Sequence, residues 1–135
     1  MNIFFDVDET ILGYDGTLRP LVVETFQQLV DDGHTLYVWS GARTAETTAD
    51  VVEYYGLAPF VTDCFRKPIL NPRESWLQTG IAVQPDFVVD DYPGIVEAFG
   101  GILIKPYPMR GPDENLRRVY DAIRDYRAES LAAPD

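Results

Sequence analysis

Residues 2–12, NIFFDVDETIL, open the chain with an apolar run that ends in an acid, a Val, a second acid, Glu9 and Thr10. The stretch NIFFDV reads as a short buried strand, since a strand covered on both faces need not alternate polar with apolar. Residues two apart in an extended strand share a face. Asp6 and Asp8 are therefore expected to aim both carboxylates at one space. Like charges that close repel, and one would keep its proton unless a cation intervened. Taken alone, DVDET stays open between an acidic loop after a strand and part of a cation site.

Working outward, RPLVVETFQQLVDDG places Leu21, Val22, Thr25, Phe26, Leu29 and Val30 at helical spacing, with Gly33 as the stop. TLYVWS is the next strand, RTAETTADVVEYYG a helix closed by Gly56, and FVTDCF a weaker strand. NPRESWLQTG reads as a third helix, with Asn71 as its cap and Pro72 in its first turn. DFVVDD is a strand, PGIVEAFG a short helix, GILIKPY the last strand and GPDENLRRVYDAIRDYRAES the closing helix, with Leu116, Val119, Tyr120 and Ile123 on one face. Strands alternating with helices along the whole length predict an α/β fold. The expected architecture is a three-layer, doubly wound (Rossmann-like), mostly parallel five-stranded sheet with helices on both faces and no separate cap domain. Residues 1–130 are expected to form one domain, with 131–135 as a frayed tail.

The length, 135 residues, allows a real core, and 46% apolar and 13% aromatic content argue against disorder. The formal net charge of -11 repels phosphate backbones, so nucleic acid is not an expected partner. No apolar run is long enough to span a membrane, and the first residues carry acids where a secretion signal would carry Lys or Arg. The single cysteine, Cys64, excludes an internal disulfide and points to a cytoplasmic location. A Cys–His pair is not expected, because the one histidine, His34, sits in the polar turn DDGHT and reads as a solvated loop residue.

In open α/β sheets, ligands bind beyond the carboxyl ends of the strands. Strand one ends at Asp6 and Asp8, strand two at Ser40 and Gly41, the third leads to Arg66 and Lys67, the fourth ends at Asp90 and Asp91, and the last leads to Lys105. One edge thus collects carboxylates, a hydroxyl and an ammonium. The oxygens suit Mg²⁺, a hard ion that keeps several waters and takes few protein carboxylates. SGART reads as a strand-to-helix turn in which Ser40 caps the helix, or seats a phosphate with the free amides there. Lys67, stiffened by Pro68, is either solvated or holds a phosphate oxygen among the acids. VVDDYPG is either a turn with a capping Asp or part of a metal site.

Together these residues resemble the haloacid dehalogenase-like (HAD) superfamily. The pattern there is an apolar strand then D-x-D-x-T, an apolar strand then Ser or Thr, a Lys, and an apolar strand then an acidic pair. FFDVDET, LYVWSG, RKP and FVVDDYPG supply these in order. The resemblance implies that Asp6 is the nucleophile and forms an aspartyl phosphate. It implies that Asp8 is the general acid and base, and that Ser40 and Lys67 hold phosphoryl oxygens. Mg²⁺ would be bound by Asp6, the backbone carbonyl of Asp8 and Asp90, with Asp91 as an assisting or direct ligand. A carboxylic acid at Asp8 favours the phosphatase branch, since related ion pumps carry Thr there and the dehalogenases lack the second Asp.

Two departures matter. Glu9 stands where many members have Gly. DxDET is similar to phosphatases of the RNA polymerase tail, but Ser40 follows Thr10 too closely for their inserted hairpin, so that substrate is not carried over. The segment LGYDGTLRP leaves only a small flap, which implies an open site. A large substrate would bring its own cover, or a homo-oligomer would supply a lid. Thr10, Gly41, Arg43, Tyr14 and Tyr92 are placed to touch a substrate, with ordinary packing as their other reading. The expected function is a Mg²⁺-dependent phosphomonoester hydrolase acting on a phosphorylated small molecule or phosphoprotein. The alternatives are a receiver-like phospho-acceptor domain, with Asp63 and the Lys-Pro at Lys105 as its counterparts, and a catalytically silent HAD-like binding module.

Overall fold

A computed structural model describes residues 1–132. Its elements are β1 (Asn2–Asp6), α1 (Val22–Asp31), β2 (Thr35–Ser40), α2 (Ala45–Tyr54), β3 (Val61–Arg66), α3 (Pro72–Gln78), β4 (Phe87–Asp90), α4 (Pro93–Phe99), β5 (Gly101–Leu103) and α5 (Asn115–Ala132). The strands form one parallel sheet in the order β3-β2-β1-β4-β5. The chain winds outward from β1 to β3, then returns to the other side of β1. The direction of winding therefore reverses between β1 and β4, and in such sheets the crevice opens at that point.

Strand alternation divides the core into two layers. Ile3 and Phe5, Leu36 and Val38, and Phe87 and Val89 face α1 and α5 through Phe26, Leu29, Leu116, Val119 and Ile123. Phe4, Tyr37, Trp39 and Val88 face the other way, onto Trp76 of α3 and Ile95 of α4. This second layer is aromatic: Phe4, Trp39, Phe65 and Trp76 meet with centroids 4.7 to 6.0 Å apart. At Gly101 (φ 147) a Cβ would lie 2.0 Å from the Val88 carbonyl oxygen, so β5 pairs with β4 only because no side chain stands there.

Several local expectations change. Asn71 adopts the left-handed region (φ 45) and makes no side-chain cap, although Pro72 opens α3 as predicted. Helix α2 starts at Ala45, not beside Ser40, because Thr44 takes an extended conformation and caps it by accepting from the Thr47 N–H. His34 is buried rather than solvated: its Nδ1 lies 3.1 Å from the Met1 amino group, and burial foremost lowers its pKa. GILIKPY is a strand only at its start, since β5 ends at Leu103. Of the expected tail, Leu131 and Ala132 end α5, and 133–135 lie outside the described residues. Among the described residues, no helix is long and apolar enough to cross a membrane.

Candidate functional site

The carboxyl ends of β1 and β4 flank the winding reversal, and each ends in a buried aspartate, Asp6 and Asp90. Lys67, just past β3, reaches between them. Its Nζ donates to Asp6 Oδ1 and to Asp90 Oδ2, each at 2.9 Å. The Lys67 N–H donates to the Ser40 carbonyl at 2.9 Å, which ties the end of β3 to the end of β2. Thr10 Oγ1 donates to the other Asp6 oxygen at 3.3 Å, and Asp90 Oδ1 accepts the Tyr92 N–H at 2.9 Å. Ser40 is buried and its Oγ accepts the Ala42 N–H at 3.2 Å.

Asp91 completes the cluster. Ligand oxygens of Asp6, Asp90 and Asp91 lie within 4.8 Å of one another. Three carboxylates face one ammonium. Burial, opposed by Lys67 and assisted by Asp91, pushes the Asp6 carboxyl up to about 7. Burial and the Asp6 charge push Asp90 up to about 6, and burial also raises Asp91. Burial would lower the Lys67 ammonium, but the two aspartates outweigh it and hold its pKa up. Fully ionised, the group carries two uncompensated negative charges, which a divalent cation would balance. A second feature fits such an ion. The carbonyls of Val7, Glu9, Thr10, Ile11 and Leu12 all accept from protein donors, whereas that of Asp8 accepts none among the described residues.

Asp8 departs from the strand-face expectation. β1 stops at Asp6, and Glu9 turns the chain in the left-handed region (φ 65). The Asp8 side chain is half-exposed and accepts from Arg43 Nη2 at 2.9 Å rather than joining Asp6. An open cavity of about 470 Å³ still links them: Asp6, Asp8, Ser40, Gly41, Lys67 and Asp91 line it, with Ile69 and Tyr92 at its rim. Gly41 leaves room for Ile69 there, since a Cβ would meet Ile69 Cδ1 at 2.5 Å and push that half-exposed side chain aside. A smaller cavity of about 170 Å³ adjoins it under the flap, bounded by Asp8, Glu9, Tyr14 and Arg43. Tyr14 stands 77% exposed on that flap.

Lys105 is exposed and does not line this cavity, and its carbonyl accepts from Arg19. Asp63 is exposed within β3, where its Oδ1 accepts the Cys64 N–H. The two residues a receiver-like domain would need are thus turned elsewhere. Burial raises the Cys64 thiol to about 11, which keeps it protonated near neutral pH and a poor nucleophile. Sequence reasoning missed the Asp8–Arg43 ion pair and the buried Arg19. Neither carries a local signal, because both depend on loops meeting across the fold.

No protein-family model matches the sequence, and no curated protein does. Solved structures do. An uncharacterized protein from Listeria monocytogenes serotype 4b superposes with TM-score 0.69 at 15% identity, covering 95% of this chain and 99% of that one. A candidate 3-deoxy-D-manno-octulosonate 8-phosphate phosphatase from Vibrio cholerae gives 0.52 at 16% identity, covering 95% and 85%. A hypothetical protein from Xanthomonas campestris gives 0.51 at 18%, covering 98% and 88%. Likeness at these identities establishes the fold, an α/β Rossmann-like sheet.

Proposed function

We propose that this chain is a HAD-like phosphomonoester hydrolase that uses a divalent cation, Mg²⁺ by the hardness of its ligands, and an aspartyl-phosphate intermediate. The observation that carries this reading is the clustering of Asp6, Asp90 and Asp91 at the winding reversal, with Lys67 bridging Asp6 and Asp90 and Ser40 on the same cavity. The phosphatase named among the structural neighbours points to the same reaction class.

Asp6, Asp90, Asp91 and the Asp8 carbonyl would hold the ion. When bound, it would offset the repulsion between the Asp6 carboxylate and a phosphate dianion. Lys67 and Ser40 orient the phosphoryl oxygens. An Asp6 carboxylate oxygen attacks phosphorus, the ester P–O bond breaks, and the Asp8 carboxyl gives its proton to the departing oxygen. Water then attacks the phosphorus of the aspartyl phosphate, and Asp8 takes its proton. Inorganic phosphate and free Asp6 result. Arg43 occupies one carboxylate oxygen of Asp8 and leaves the other for the proton. The open cavity suits a phosphorylated substrate that covers itself, or a second copy of the chain acting as lid.

The test is turnover of para-nitrophenyl phosphate with Mg²⁺ and with EDTA, in the wild type and in Asp6→Asn. Turnover should vanish with EDTA and fall by about 10³-fold or more in Asp6→Asn, with far-UV circular dichroism unchanged. Activity that survives chelation overturns the cation's role. Unchanged activity in Asp6→Asn overturns the nucleophile. A stable phospho-enzyme without turnover would favour a signalling acceptor, and neither event a silent binding module. A wider ester screen, including 3-deoxy-D-manno-octulosonate 8-phosphate and phosphopeptides, would assign the substrate class.

A further inference from the structure

The Arg19 side chain has no exposed surface, and no step above uses it. Its three nitrogens reach five acceptors. Nε donates to Asp113 Oδ1 at 2.8 Å, Nη1 to the Glu9 and Thr10 carbonyls at 3.2 and 3.4 Å, and Nη2 to Asp113 Oδ2 and the Lys105 carbonyl at 3.0 and 2.7 Å. The guanidinium also lies 5.5 Å from the centre of the Tyr107 ring, and the Tyr107 N–H donates to the Glu9 carbonyl at 2.8 Å. Asp113 in turn accepts from the Asn115 N–H at 3.0 Å and Nδ2 at 2.9 Å, which fixes the start of α5.

Two of these bonds fall on the residues that follow Asp8. The peptide between Asp8 and Glu9 is planar and trans, so its C=O and N–H point in opposite directions. The Glu9 N–H donates to the Leu12 carbonyl at 2.6 Å, and the Asp8 C=O therefore points away from Leu12. With the next two carbonyls drawn onto Arg19, the turn at Glu9 has little freedom to rotate that peptide. The same bonds hold the Thr10 backbone, from which the hydroxyl reaches Asp6.

We infer that Arg19 and Asp113 form a clamp that positions the Asp8 carbonyl and the Thr10 hydroxyl for the acidic site. Both are then positioning residues, and this inference rests on the functional reading above. The clamp needs a planar fork. A lysine at position 19 offers its donors from one point and cannot span Glu9, Thr10, Lys105 and Asp113 at once.

Arg19→Lys tests this, with Asp113→Asn as the second variant if the first does not fold. Three quantities are compared with wild type: amide hydrogen exchange, Mg²⁺ affinity by calorimetry, and kcat and KM on para-nitrophenyl phosphate. Exchange at the Thr10, Ile11 and Leu12 amides should accelerate about tenfold or more, with β4 amides unchanged, while Mg²⁺ affinity and kcat each fall about tenfold and KM stays within about threefold. Unchanged exchange at those amides overturns the clamp. Faster exchange with wild-type Mg²⁺ affinity and kcat overturns its positioning role. A wild type that neither binds Mg²⁺ nor turns over substrate overturns the functional reading instead, and the exchange data still decide whether the clamp holds the turn.

Discussion

Arg19 and Lys67 are the buried cations among the described residues, and their surroundings are opposite in kind. Arg19 meets one carboxylate and three carbonyls, and its charge is matched. Burial tends to raise the Asp113 carboxyl, but bonds from Arg19 and Asn115 outweigh it and hold its pKa below the usual range. Lys67 meets two aspartates with a third beside them, and there the carboxyls are pushed up instead, Asp6 to about 7 and Asp90 to about 6. Balanced buried charge holds structure together. Surplus buried charge has a cost that persists until a ligand arrives, which is how a binding centre differs from an internal brace.

The sharpest way to break this contrast is to remove Lys67. Lys67→Met strips the ammonium from three crowded carboxylates and should destabilise the metal-free protein by about 3 kcal/mol at pH 8, measured by urea unfolding in EDTA. Much of that loss should return at pH 5.5, where Asp6 and Asp90 can take protons. An equal loss at both pH values would mean that the lysine acts through packing alone.

The contrast is sharpened next by pH and Mg²⁺ together. Asp6 and Asp90 have folded pKa values above the ordinary 3.8. Between about pH 4 and 7 the folded state therefore holds protons that the unfolded state has lost, and their contribution to stability falls as pH rises through that window. Metal binding needs the ionised carboxylates and releases those protons. The rise in Tm caused by Mg²⁺ should thus be several degrees larger at pH 8 than at pH 5.5. Asp113 runs the other way: its depressed pKa contributes stability above the ordinary value and loses it only as pH falls through the folded one, so the Arg19 clamp is untouched at pH 5.5. A Mg²⁺ shift that is equal at both pH values would remove the acidic cluster as the binding centre.

The smallest expected effect is at Glu9, which turns the chain just after Asp8. Its φ of 65 is the conformation that glycine adopts without strain. Glu9→Gly relieves about 1 kcal/mol of backbone strain and loses a similar amount to the freer unfolded chain. Urea unfolding should register a net change within about 1 kcal/mol. A loss well beyond that would assign the Glu9 side chain a role in holding the flap.

These residues also mark how far the sequence could be read. The strand ends were legible because apolar runs stop abruptly at Asp6, Ser40 and Asp90, and parallel topology then carries those ends to one edge. The position of Asp8 was not, because alternation applies only while the strand continues, and β1 stops at Asp6, two residues before it. Ser40 lost its helix for a similar reason: Thr44, four residues later, made the better cap. The Arg19–Asp113 pair spans 94 residues, and no local pattern distinguishes a buried arginine from a solvated one.

The aromatic layer has a practical consequence. Both tryptophans of the chain, Trp39 and Trp76, are fully buried in it with ring centres 5.2 Å apart, and Trp39 immediately precedes Ser40 in β2. Tryptophan fluorescence therefore reads a single face of the sheet, the one packed on α3 and α4, with no other indole to dilute the signal.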